Sequence, residues 1–217
     1  MQRRTQTTMA NLLYVTCNIR PQDSSRTLSL GYEFLEEYIR WNPKDEVQVL
    51  DLYRDSIQRV DQEVLNVWWR IERGEDYSCL SDGERHKIAR LMRLADQFRR
   101  CDKYVFITCG LNLWFPAEFK IYIDAIGIPD PINRTTPLAA KSILPYQHKK
   151  SLHLHACSPH NFVQEQELSV AYLRTLLNCF GVTDHETAIL RNDDPEQGSL
   201  EEYEKVRRRL LDLALRF

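Results

Sequence analysis

A chain of 217 residues with a 43% hydrophobic fraction can fill one core and suits a single domain. Its 29 basic and 31 acidic residues give a formal charge of -2 and no basic face, which argues against a nucleic-acid partner. No apolar run approaches the ~20 residues of a membrane helix, and "MQRRTQTTMANLLYV" carries too short an apolar patch for a signal peptide.

Residues 1–9 read as a disordered N-terminal extension, and 10–217 as one domain with a helical excursion at about 60–80. "NLLYVT" (Asn11–Thr16) is short and nearly all apolar, a buried strand. A helix follows, with Leu28, Leu30, Phe34, Leu35 and Tyr38 at helical spacing, Ser24 or Ser25 as N-cap and Asn42–Pro43 as its stop. "EVQVLDL" is the second strand. Val60 to Cys101 holds two helices around "RGEDYSCLSDGE", and Ser81 with Glu84 makes a capping box for the second. "KYVFITC" is the third strand, and "PAEFKIYIDAI" a helix with Pro116 in its first turn. Pro131, Pro137 and Pro145 mark Asp130 to Lys150 as a long surface connection. "SLHLHAC" is the fourth strand, "EQELSVAYLRTLLNCF" a helix capped by Gly181, "ETAILR" a weak fifth strand, and Ser199–Phe217 an amphipathic closing helix.

Strands that alternate with helices and are near-continuous in apolar character imply an α/β fold whose parallel sheet is covered on both faces. Right-handed crossovers limit the choices to a doubly wound form, and five strands favour the flavodoxin-like order 2-1-3-4-5. Ligands in such sheets bind beyond the carboxyl ends of the strands, at the switch point between strands one and three. Two loops meet there, Cys17–Ser25 and the segment after Thr108 that carries Asn112.

Several stretches, "NPKDEVQVLDLY", "SDGERHKIARLMRLADQFRRCDKYVF", "NLWFPAEFKIYID" and "LLNCFGV", resemble the FMN-dependent NADH-azoreductases, relatives of the NAD(P)H quinone reductases. The similarity covers most of the chain. It implies a flavoprotein oxidoreductase that carries FMN, takes hydride from NADH or NADPH and passes two electrons to a quinone, azo compound or related electrophile. It also implies a homodimer with the site at the interface, to which the excursion bearing Trp68 contributes. No general base is assigned, since the flavin does the chemistry and the protein orients it.

The resemblance assigns Ser25, Arg26 and Thr27 to the phosphate, and hydroxyls and N–H groups at a helix N-terminus do suit a dianion. Cys109, Gly110, Leu111, Asn112 and Leu113 take the place of the loop along the flavin ring, with the amide of Asn112 facing the polar ring edge. Cys157 and Ser158 take the far edge, where the family commonly has Arg-Gly-Gly. Two departures stand out. Leu111 replaces a stacking aromatic, with Trp114 nearby, and Pro159 brings no N–H where the family has glycine.

These departures motivate two alternatives. One is a flavin-free homodimer acting as a binding or scaffold protein. The other is an enzyme with a rebuilt thiol site, because Cys17, Cys109 and Cys157 all fall at strand ends on strands ~4.8 Å apart. Equally, each cysteine is a small buried side chain with no joint purpose. His153 and His155 share one strand face, either as ligands or as satisfied core groups. No metal site is assigned. Six cysteines without CxxC spacing read as reduced thiols and imply a cytoplasmic protein.

Overall fold

The computed structural model describes residues 9–111, 114–127, 149–157 and 168–217. In chain order the elements are β1 (Asn11–Cys17), α1 (Arg26–Trp41), β2 (Glu46–Asp51), α2 (Gln62–Glu72), α3 (Asp82–Arg100), β3 (Lys103–Cys109), α4 (Ala117–Gly127), β4 (Lys150–Ala156), α5 (Leu168–Cys179), β5 (Asp184–Leu190) and α6 (Leu200–Ala214). The sheet has five strands in the order β2-β1-β3-β4-β5, every neighbouring pair parallel. That is the doubly wound, flavodoxin-like architecture expected from the alternation of strands and helices.

Period-two alternation decides which helix covers which face. Leu12, Tyr14, Val105, Ile107, Leu152 and Leu154 point to the side where α1 and α6 pack, with Phe34, Tyr38, Leu210 and Phe217 completing that core. Leu13, Val15, Tyr104 and Phe106 point the other way, onto Phe98 of α3, Phe119 and Tyr122 of α4, and Leu173 of α5. A third cluster joins Val64, Val67 and Trp68 of α2 to Ile88 and Leu91 of α3 and Ala125 of α4. The helical excursion therefore has a core of its own that docks on the main one. Lys149 buries its amine at the end of α3, donating to the carbonyls of Arg99 and Cys101 at 2.8 Å each. A cation there complements the carboxyl end of the helix.

The local signals act as their chemistry requires. Ser25 caps α1 by accepting from the Leu28 N–H, and Asn42 ends it. Both halves of the capping box at Ser81 and Glu84 form. Gly181 closes α5 with φ 81°, a conformation that disfavours any Cβ. The fifth strand is stronger than its polar sequence suggests: Asp184 to Leu190 pairs with β4 along its whole length. The N-terminal extension and most of the proline-rich connection lie outside the described residues.

Gly31 is where α1 touches the sheet. A Cβ there would lie 2.5 Å from the Tyr14 hydroxyl and 2.8 Å from Ile107 Cδ1. Gly31→Ala should therefore lower stability by about 1–2 kcal/mol, overpacking outweighing the better helix propensity of alanine. Equilibrium urea unfolding measures it. Ser81→Ala should cost about 1 kcal/mol through loss of the cap, read from the same transition.

Candidate functional site

β1 and β3 are hydrogen-bonded neighbours, yet the chain leaves β1 for α1 on one face and β3 for α4 on the other. The two connections therefore depart to opposite faces above the carboxyl ends of these strands, where such sheets have their ligand crevice.

On the α1 side the crevice has an anion cradle. Ser25 and Thr27 are completely buried, and their hydroxyls lie 3.1 Å apart at the start of α1. Asn18, only 2% exposed, reaches in from the end of β1 and donates its amide to Ser25 Oγ at 2.9 Å. The cradle holds the carboxylate of Asp193, from the loop between β5 and α6. Asp193 Oδ1 accepts from the Thr27 N–H at 2.8 Å, from Thr27 Oγ1 at 2.7 Å and from Ser25 Oγ at 3.0 Å. Asp193 Oδ2 accepts from Asn18 Nδ2 at 2.8 Å. The Asp193 backbone carbonyl takes the Arg26 N–H at 3.1 Å.

The first N–H groups of α1 are thus satisfied by Asp193 and Ser25 together. An acidic group here gains from the helix dipole by up to ~2 kcal/mol when partly buried, and each charge-assisted hydrogen bond adds roughly 1.5–3 kcal/mol. As a test of cofactor fit, the donor set suits an anion: the carboxylate oxygens stand where two oxygens of a phosphate monoester would accept.

Arg26 is buried too, but its guanidinium points away from the cradle. Nη2 donates to the Ser199 carbonyl, and the group lies over the Tyr203 ring at 4.9 Å. Of the expected phosphate trio, the structure therefore brings two side chains and the Arg26 backbone together, and sends the Arg26 charge to α6.

On the β3 side, Gly110 donates its N–H to the Ala156 carbonyl at 2.7 Å, and Leu111 exchanges both backbone hydrogen bonds with Trp114. Leu111 is 52% exposed. Trp114 packs on Tyr172 of α5, ring centroids 5.1 Å apart, and so is already engaged rather than free to replace a stacking aromatic. Cys157 is anchored by its N–H on the Leu190 carbonyl. The expected ligands Asn112, Leu113 and Ser158 lie outside the described residues.

Cys17 and Cys109, two of the three strand-end thiols, do not converge. Cys17 aligns with Thr108, and Cys109 with Ala156, so the two are one step out of register. They consequently face opposite sides of the sheet, Cys17 in the core under α3–α5 and Cys109 against the core under α1 and α6. Burial pushes the Cys109 thiol up to about 11 and raises that of Cys17 further, so both stay protonated at neutral pH. Among the described residues no three His, Cys, Asp or Glu side chains converge as a metal cage. His153 and His155 share the Thr108 hydroxyl, at 2.8 and 2.7 Å, and His155 also meets Ser169. Both rings are buried in the core, where each turns a nitrogen to the Thr108 hydroxyl rather than to a metal site.

Sequence reasoning missed Asn18 and Asp193. Asn18 carried a usable signal, an amide placed directly after an apolar strand that ends at the crevice. Asp193 sits in "NDDP", readable as turn chemistry. Its reach to α1 follows only from α6 returning beside α1.

The chain matches the family model described as "Flavodoxin-like fold" over residues 10–211. It is 44% identical over 186 residues to the FMN-dependent NADH:quinone oxidoreductase of Geotalea uraniireducens, covering 86% of this chain and 89% of that one. The protein of the same name from Trichlorobacter lovleyi is 41% identical, with 90% of this chain and 93% of the relative covered. Among solved structures, an azoreductase from Bacillus anthracis superposes with a TM-score of 0.76 at 25% identity, covering 96% of this chain and all of that one. This chain therefore belongs to the flavodoxin-like fold family that contains the FMN-dependent NADH:quinone oxidoreductases.

Proposed function

We propose that the protein is an FMN-dependent oxidoreductase that uses NADH or NADPH to deliver two electrons to a quinone, azo compound or related electrophile. The observation that carries this reading is the anion cradle at the switch point, in a chain 44% identical to an enzyme of that name. FMN, when bound, supplies the hydride-accepting and electron-donating chemistry.

The protein's part is to bind and orient. Ser25, Thr27, the Arg26 backbone and Asn18 hold the phosphate, since they are the donors that already hold a carboxylate. Cys109, Gly110, Leu111, Asn112 and Leu113 run along the ring, and Cys157 and Ser158 close its far edge. Leu111 gives the mouth of the crevice an apolar surface that excludes water from one side. The working form is a homodimer. In support, Leu65 and Trp69 stand four apart on α2, 40% and 53% exposed, an apolar pair that an interface would cover. The compartment is the cytoplasm, in keeping with six unbridged cysteines. No helix among the described residues is long and apolar enough to cross a membrane.

One observation favours a second reading, a flavin-free binding protein: the cradle is filled by the chain's own carboxylate. Incubating the purified protein with FMN, removing the excess and adding NADH separates the two. Retained yellow flavin that NADH bleaches and a quinone restores is the expected result. A protein that stays colourless supports the binding-protein reading instead.

The thiol chemistry has its own check. Near neutral pH an alkylating reagent should modify the exposed Cys79 and Cys179 and spare Cys17 and Cys109, with Cys109 labelling rising only as pH approaches about 11. Peptide mass spectrometry reads the pattern. Fast labelling of Cys109 at neutral pH would reinstate a thiol site.

A further inference from the structure

We infer that Asp193 is a built-in competitor for the phosphate cradle, so that the β5–α6 loop works as a latch that a phosphate monoester must displace. The inference rests on the flavin reading, and deepens it. The cradle donors are two hydroxyls, the Thr27 N–H and the Asn18 amide, and each is already committed to an oxygen of Asp193. Asp193 is 8% exposed and carries the only carboxylate held there among the described residues. A phosphate dianion brought to the same donors would face that carboxylate at hydrogen-bond distance, and like charges at that separation do not share a site. One anion must leave.

Two features make leaving feasible. The backbone carbonyl of Asp193 holds the Arg26 N–H independently of the side chain, so the carboxylate can rotate out while the loop stays tethered to α1. The closed arrangement also leaves Arg26 Nη1 buried without an acceptor, pressed against Gly198 of the same loop. Movement of the Gly198 segment would relieve that orphaned donor, which a turn of the Asp193 carboxylate alone would not. The loop is therefore poised between two states, closed by its own carboxylate and opened by a phosphate. Apparent affinity for a phosphate falls in proportion to the fraction of molecules whose cradle is open, so a cradle held mostly closed weakens it about tenfold or more.

The test compares wild type with Asp193→Ala and Asp193→Asn in fluorescence-quenching titrations against FMN and against riboflavin, which lacks the phosphate. The latch requires that Asp193→Ala tighten FMN by about tenfold or more and leave riboflavin within about twofold. Asp193→Asn, which keeps the shape and removes the charge, should move FMN in the same direction and serves if the alanine variant does not fold. Unchanged FMN affinity, or equal tightening of riboflavin, overturns the latch. If no form binds either flavin, the flavin reading fails, and inorganic phosphate decides the latch alone. Raising the melting temperature of Asp193→Ala more than that of wild type would uphold it, and an identical response would end it.

Discussion

Parallel strands covered on both faces leave solvent only at their ends, and the site in this protein follows from that constraint. β1 and β3 lie side by side but send their chains to opposite faces, so no helix can seal the gap above their carboxyl ends. The N–H groups that open α1 point into this gap. Buried donors need acceptors, and Ser25, Thr27 and Asn18 gather around them to make one concentrated anion site. The apolar alternation along each strand does the rest, pressing α1 against the sheet so closely that Gly31 has no room for a Cβ. Position and rigidity of the cradle are thus consequences of the core.

An anion cradle inside a folded protein cannot be left without an anion at little cost. Here the chain supplies one. Asp193 joins the start of α1 to the loop before α6, two helices that already pack side by side on the same face. The same carboxylate therefore acts as a helix cap, as a tie between two elements and as a stand-in for an external ligand. Arg26 completes the exchange: its guanidinium goes to Ser199 and the Tyr203 ring, so the positive charge that would favour a dianion is spent on the loop that blocks it.

The fold was legible because its signals are local or periodic. Apolar runs such as "KYVFITC", the Ser81–Glu84 capping box, Ser25 as cap and Gly181 as stop each depend on a few adjacent residues. Even β5, read from "ETAILR" and found to start two residues earlier at Asp184, takes the edge position that a doubly wound sheet of five strands favours. The site was legible by halves. Ser25 and Thr27 announce themselves at a helix start, whereas the direction of the Arg26 side chain depends on α6, far along the chain. Asp193 stands 166 residues from Thr27, a separation over which no spacing rule operates. The strand-end cysteines show the opposite error. Proximity in sequence register suggested a cluster, and a one-residue stagger put Cys17 and Cys109 on different faces.

The most direct measurement is a crystal structure of the protein with FMN bound. Phosphate oxygens should accept from Ser25, Thr27 and Asn18, with the Asp193 side chain rotated out of the cradle and its backbone carbonyl still on the Arg26 N–H. A phosphate bound elsewhere, with the Asp193 carboxylate still seated on the Thr27 N–H, would contradict the account.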